Sequence, residues 1–186
     1  ILIGLFSGLS SGASVVISQY FGAGNKEKVS EASHTSMTIT LISGVVFTLL
    51  GVVFSPLMVQ MMLRTTEGEV YAPATEYLTI YSCGMMFMLL YNMGSGILRA
   101  VGDSRRPFYY LAVAAVINTG LDFLFVYAFG MGVAGVAYAT IIAQGVAALL
   151  TVITLLKTRL DIKIKIRKLK VDKTILFQII KVGIPA

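Results

Sequence analysis

The chain is 186 residues long, 56% hydrophobic and only 13% charged, with a mean hydropathy of +0.84. Ordinary soluble proteins are roughly a quarter charged, so these values exclude a soluble globular domain. The net charge of +6 is local, because residues 157–173 hold eight Lys/Arg and two Asp while the remainder is neutral. Nucleic-acid binding needs basic residues spread over a soluble face, so a lipid bilayer, and no nucleic acid, is the partner expected for this charge. Cys83 is the only cysteine, which excludes an intrachain disulfide and a CxxC zinc or redox site. It lies inside an apolar run and is expected to serve packing.

In chain order, the stretches 1–25, 32–63 and 77–98 carry no charge, and each exceeds the about 18 residues that a transmembrane helix needs. The first predicts a span over 2–22. With no Met and no preceding basic residues, it does not read as a cleaved signal, and the sequence reads as a piece of a longer chain. Ser7, Ser11, Ser14 and Ser18 recur on it at helical spacing and, like Gly94-Ser95-Gly96 further on, suit close helix packing better than a polar cavity wall. The second span, 34–58, opens on His34, read as a solvated end residue rather than a switch. Pro56 would bend it and free a carbonyl. Arg64 follows, beside Glu67, Glu69 and Glu76. The third span, 76–98, carries Met85, Met86, Met88 and Met93, either an adaptable apolar surface or lipid-facing packing. Residues Gly102 to Pro107 predict a tight turn, with Pro107 in the first turn of the next helix.

Residues 107–156 are charge-free except for Asp122. As one helix they would reach about 75 Å, more than twice the roughly 30 Å of a hydrocarbon core. They therefore cross twice, dividing at the glycine cluster 129–135 into spans 107–129 and 133–156. This completes five spans within 1–157. The basic segment 158–182 reads as a linker, and 183–186 as the start of a further span. Within the linker, Asp161 to Arg167 alternates with period two, but Lys168 breaks the pattern and no partner strand is evident. Asp172 to Lys181 predicts a helix at the membrane interface, with Asp172 as its cap. The segment reads as a topology anchor rather than a specific anionic-lipid site. Fourteen Lys/Arg fall on one side of these spans and only Arg64 on the other. The positive-inside rule places the fourteen in the cytoplasm, and the chain in the cell membrane.

Asp122 is the one ionisable acid or base inside a span, and an intramembrane carboxylate, costing about 2.5 to 3.5 kcal/mol on insertion scales, points to function. Asn118 lies one turn earlier on the same face, and Thr140 and Gln144 have the same relation on the next span. Counted from the shared loop, Asp122 and Thr140 each lie roughly 10 Å deep. If the two spans are neighbours, the four groups meet in one layer. Carboxylate, amide carbonyl and hydroxyl oxygens suit a hard cation such as Na⁺, and the apolar setting makes proton binding equally available. The competing reading is an Asp neutralised by Asn118 or Thr140 to hold two helices together.

Gln19 to Asn25 (QYFGAGN), Leu98 to Pro107 (LRAVGDSRRP), Asn118 to Asp122 (NTGLD) and Gly132 to Thr140 (GVAGVAYAT) with Gln144 resemble successive motifs of the multidrug and toxic compound extrusion (MATE) transporters. The resemblance covers essentially the whole chain. It implies an all-α polytopic bundle in which these five spans are helices two to six of a twelve-helix, two-lobe transporter, followed by the cytoplasmic linker and the opening of helix seven. It implies a cation site at Asn118, Asp122 and Thr140, completed by an acidic residue of helix one outside this sequence, with Gln144 and Tyr138 as further candidates to line it. It implies a cytoplasmic loop motif at Arg99, Gly102, Asp103, Arg105, Arg106 and Pro107. It also implies no cofactor beyond the coupling ion, Na⁺ or H⁺, no metal beyond Na⁺, small organic, cationic substrates, and partnership with the remainder of the same transporter.

No P-loop, nucleophile with its base, or metal-ligand cluster stands out, so an enzyme is not expected. The expected function is secondary active efflux of cationic or amphiphilic compounds. A related flippase for lipid-linked or polysaccharide precursors would need bases at membrane depth to hold phosphates, and the spans have none. A non-transporting scaffold would tolerate apolar replacements of Asp122 and Asn118.

Overall fold

A computed structural model describes residues 2–64 and 69–183. Glu67 and residues 184–186 lie outside the described residues. Seven α-helices follow one another: α1 (Leu2–Gly22), α2 (Lys26–Leu63), α3 (Tyr71–Cys83), α4 (Met85–Ala100), α5 (Arg105–Asp122), α6 (Gly132–Lys157) and α7 (Lys173–Gly183). A π-helical segment, Phe123–Ala128, extends α5, and the linker contains one 3₁₀ turn at Ile166–Lys168. There is no strand among the described residues, so the alternating isoleucines of the linker do not form one. Instead Ile162 and Ile164 turn inward and are buried, while Ile166 is exposed.

Three described helices are individually long and apolar enough to cross a membrane: α2, α5 with its π-helical extension, and α6. The third expected span is two helices, because the chain breaks at Gly84. A Cβ there would lie 2.6 Å from Ile141 Cγ1, so the break is where α6 presses in. Cys83 beside it is exposed among the described residues, contrary to the packing role expected of it.

Helix α4 is the hub, packed against α1, α2 and α6. Leu89, Met93, Ile97 and Leu98 are almost wholly buried, with Phe6, Ile17 and Leu155 around them. Hydroxyls tie α1 to α4 through the backbone: Ser10 Oγ donates to Asn92 O and Ser14 Oγ to Gly96 O, both at 3.0 Å. Ser7, Ser11 and Ser18 are exposed, so only part of the serine stripe serves this packing. On α2, Pro56 has no amide proton to offer the Val52 carbonyl, and Ser55 Oγ donates to that oxygen instead at 3.1 Å. Large apolar side chains such as Val53, Met61 and Met62 cover the outside, as lipid contact requires.

The two short turns on the basic side are built alike. After α1, Gly24 takes a positive φ of 69° and Asn25 N–H bonds back to Tyr20 O. After α4, Gly102 takes φ 86° and Asp103 N–H bonds back to Leu98 O. In each the glycine closes the old helix in a Schellman motif, and the next residue caps the new one. Asn25 Oδ1 accepts from Lys28 N–H at 3.1 Å, and Asp103 Oδ1 from Arg106 N–H at 3.3 Å.

Candidate functional site

Asp122 is the last α-helical residue of α5, at the point where the backbone widens into the π-helix, a local irregularity often found at functional sites. Its Oδ1 is buried with no hydrogen-bond partner. The same holds for Asn118 Nδ2, one turn earlier, and for Gln144 Oε1 on the neighbouring α6. Buried polar atoms are nearly always paired, so these orphaned atoms on two helices in contact are the candidates for a site, although Asp122 and Asn118 do not line the recess that Gln144 lines. The single hydroxyls of Ser36, Thr48 and Thr75 are also unpaired, but a hydroxyl rotor is cheaper to leave so than a carboxylate.

The orphaned atoms are chemically unequal. Asp122 Oδ1 and Gln144 Oε1 are acceptors, suited to a cation or an added proton, whereas Asn118 presents a donor. Asn118 would offer an oxygen only after a half turn of its amide. Thr140 Oγ1 donates to Val136 O at 2.9 Å and keeps its lone pairs for a ligand. Thr140 and Gln144 together line a small recess against the α3–α4 break, with Tyr81, Gly84, Met85 and Met88. The structure thus brings Thr140 beside Gln144, and Asn118 onto the same face as Asp122. Tyr138 is exposed and outside that recess. No group of three His, Cys, Asp or Glu stands together among the described residues, so a cation held by the Asp122 carboxylate would take its further ligands from amide and hydroxyl oxygens.

Arg99 Nη1 donates to Ser95 Oγ at 3.3 Å, Asp103 pairs with Arg106 at 3.3 Å, and Arg105 is exposed. Buried Pro107 lies in the first turn of α5, and its carbonyl accepts from Tyr91 OH at 3.0 Å.

His34 departs from expectation. It is 4% exposed and both ring nitrogens are engaged, so it is no solvated end residue. Burial comes from the linker, more than a hundred residues away, which no local pattern around His34 reveals. Its neighbour Thr35 is buried by the same segment.

The MatE family model matches residues 1–124. The chain belongs to the MatE family. It is 35% identical over 193 residues to the probable multidrug resistance protein YoeA of Bacillus subtilis (strain 168), covering all of this chain and 41% of YoeA. A solved inward-facing conformation of a multidrug resistance MATE family transporter of the MOP superfamily matches with TM-score 0.90 and 31% identity, over 99% of this chain and 42% of that one. The outward-facing conformation matches with TM-score 0.88, also at 31% identity, over 99% of this chain and 41% of that one. The MatE chain therefore spans about two fifths of the length of these relatives. Its fold, a multi-pass bundle of membrane helices, is common to both conformations. Asn118 and Asp122 fall inside the matched residues, while Thr140 and Gln144 follow them.

Proposed function

We propose that this chain is the first lobe of a secondary active antiporter that exports cationic or amphiphilic organic compounds in exchange for Na⁺ or H⁺. The observation that carries the reading is the buried, unpartnered carboxylate oxygen of Asp122 on a membrane helix. The names of the relatives support multidrug export as the activity. Near-equal similarity to inward-facing and outward-facing structures supports a lobe that moves as a unit.

In this mechanism Asp122 takes the coupling ion, with Thr140 Oγ1 and a rotated Asn118 amide as further oxygens and Gln144 beside them. The ion is cargo, moved down its gradient as substrate moves out. Neutralising one carboxylate in a low-dielectric layer removes a cost of several kcal/mol. It thereby changes which packing of the lobe against the rest of the transporter is favoured. The shift can be no larger than the ion's differential affinity for the two states.

Efflux from proteoliposomes of the full-length protein, under an imposed Na⁺ or H⁺ gradient, tests the proposal. Wild type should respond to one gradient, and Asp122→Asn should lose gradient-driven efflux while still inserting and folding. Undiminished efflux by Asp122→Asn overturns the reading. So does function after apolar replacement of both Asp122 and Asn118, the outcome a scaffold would give.

A further inference from the structure

His34 lies two turns into α2, where the basic linker crosses the helix. Lys165 N–H points at His34 Nε2 from 2.9 Å, and His34 Nδ1 lies 2.7 Å from Ser30 O. The Lys165 amide can only donate, so Nε2 must hold a lone pair, and the proton sits on Nδ1, donating to Ser30 O. The bonds thus fix both the charge state and the tautomer of the ring. Next to it, Thr35 Oγ1 accepts from Asp172 N–H at 3.2 Å and donates to Lys170 O at 3.4 Å. Two adjacent side chains of α2 therefore hold the main chain of the linker at both ends of its 3₁₀ turn.

Downstream of this clasp the chain is fixed to the same body. Asp172 Oδ1 caps α7 by accepting from Thr174 N–H at 2.9 Å and Ile175 N–H at 3.0 Å. Helix α7 then runs antiparallel along α1: Tyr20 OH donates to Gln178 Oε1 at 2.6 Å, and further along the glycines of the two helices meet at Gly8 and Gly183.

We infer that His34 and Thr35 are positioning residues that clasp the linker to α2, and that protonation of His34 opens the clasp. An imidazolium has N–H at both nitrogens, so Nε2–H would face Lys165 N–H, donor against donor. The bond must break, and His34 then competes for acceptors in a recess of about 620 Å³ that gives protons access to the ring.

The charges around the ring oppose one another. Glu27 and Glu31 of α2 and Asp172 of the linker favour an imidazolium, although Glu31 is already paired with Lys28 at 2.7 Å. Arg167 and Lys168 of the 3₁₀ turn and Lys170 disfavour it, and Lys163 and Lys165 lie on the same strip of linker. Of the other helices packed on α2, α1 and α3 bring no charged group but Glu76, which lies at the far end. Arg99 of α4 is held by Ser95, and Lys173 of α7 is exposed. With the field divided, loss of the acceptor decides the outcome. The clasp is closed while the ring is neutral and opens when acidification protonates it. It adds to the transport reading a proton-sensitive attachment of the inter-lobe linker to the first lobe, and it stands whether or not Asp122 couples an ion.

Amide hydrogen exchange over residues 160–172 of the full-length protein in nanodiscs tests this. After correction for intrinsic rates, wild type should exchange roughly fivefold or more faster at pH 5.5 than at pH 8, about the value of one hydrogen bond. His34→Gln keeps an acceptor oxygen near the Nε2 position without titrating, and should stay protected at both values. His34→Ala should exchange fast at both. Should His34→Ala fail to fold, the contrast between wild type and His34→Gln still decides. Equal protection of wild type at the two pH values overturns the inference, as does a pH response that survives in His34→Gln.

Discussion

Gly102 holds φ at 86°, a conformation that costs a side chain about 1 kcal/mol. Gly102→Ala should lower the unfolding free energy of the full-length protein by about that amount, seen as a reduced melting temperature in detergent. Asp172 makes a pH prediction at the same scale. Accepting the Ile175 and Thr174 amide protons, with Lys28 nearby, its carboxyl is held below the ordinary aspartate range. A depressed value in the folded state means that the cap is fully present above the unfolded-state value and is lost as pH falls through the folded one. Protection of the first turn of α7 should therefore fall only below about pH 4. Asp172→Asn, still an acceptor, should keep protection there at that pH. Asp122 was legible in the sequence because one acid in fifty residues cannot be missed. The orientation of Tyr138 was legible too and was passed over, since Tyr138 and Thr140 are two residues apart and so on opposed faces of one helix.

Among elements, the crossing of α1 and α7 depends on backbone contact. A Cβ at Gly12 would fall on the Ile179 carbonyl oxygen and 2.8 Å from Gly183 N. Gly12→Val should therefore cost about 1–3 kcal/mol by overpacking and raise exchange in α7, whereas Gly4→Val, with open space around it, should leave α7 unchanged. Hydropathy pointed to α2, α5 and α6, the described helices long and apolar enough to cross a membrane, because charge and length are additive along a chain, and the glycine cluster marked the turn between α5 and α6. It did not reveal the break at Gly84, which depends on Ile141 of another helix, nor the buried His34, which depends on the folded path of the linker. Both are contacts between residues far apart in sequence, and neither leaves a periodic signal.

For the whole molecule, the first-lobe reading requires a body whose internal packing survives the change of access, with α4 at its centre and α7 attached to α1. The similarity to both conformations of the solved relative fits that requirement. The lobe then needs one input that alters its preferred partner surface, and in the proposed mechanism Asp122 supplies it. The distance distribution between spin labels on the two lobes of the full-length protein, recorded with and without Na⁺ and across pH, measures that input directly. The account predicts that the coupling ion redistributes the wild-type populations and leaves Asp122→Asn unmoved. An Asp122→Asn transporter that shifts with the ion as wild type does would contradict it.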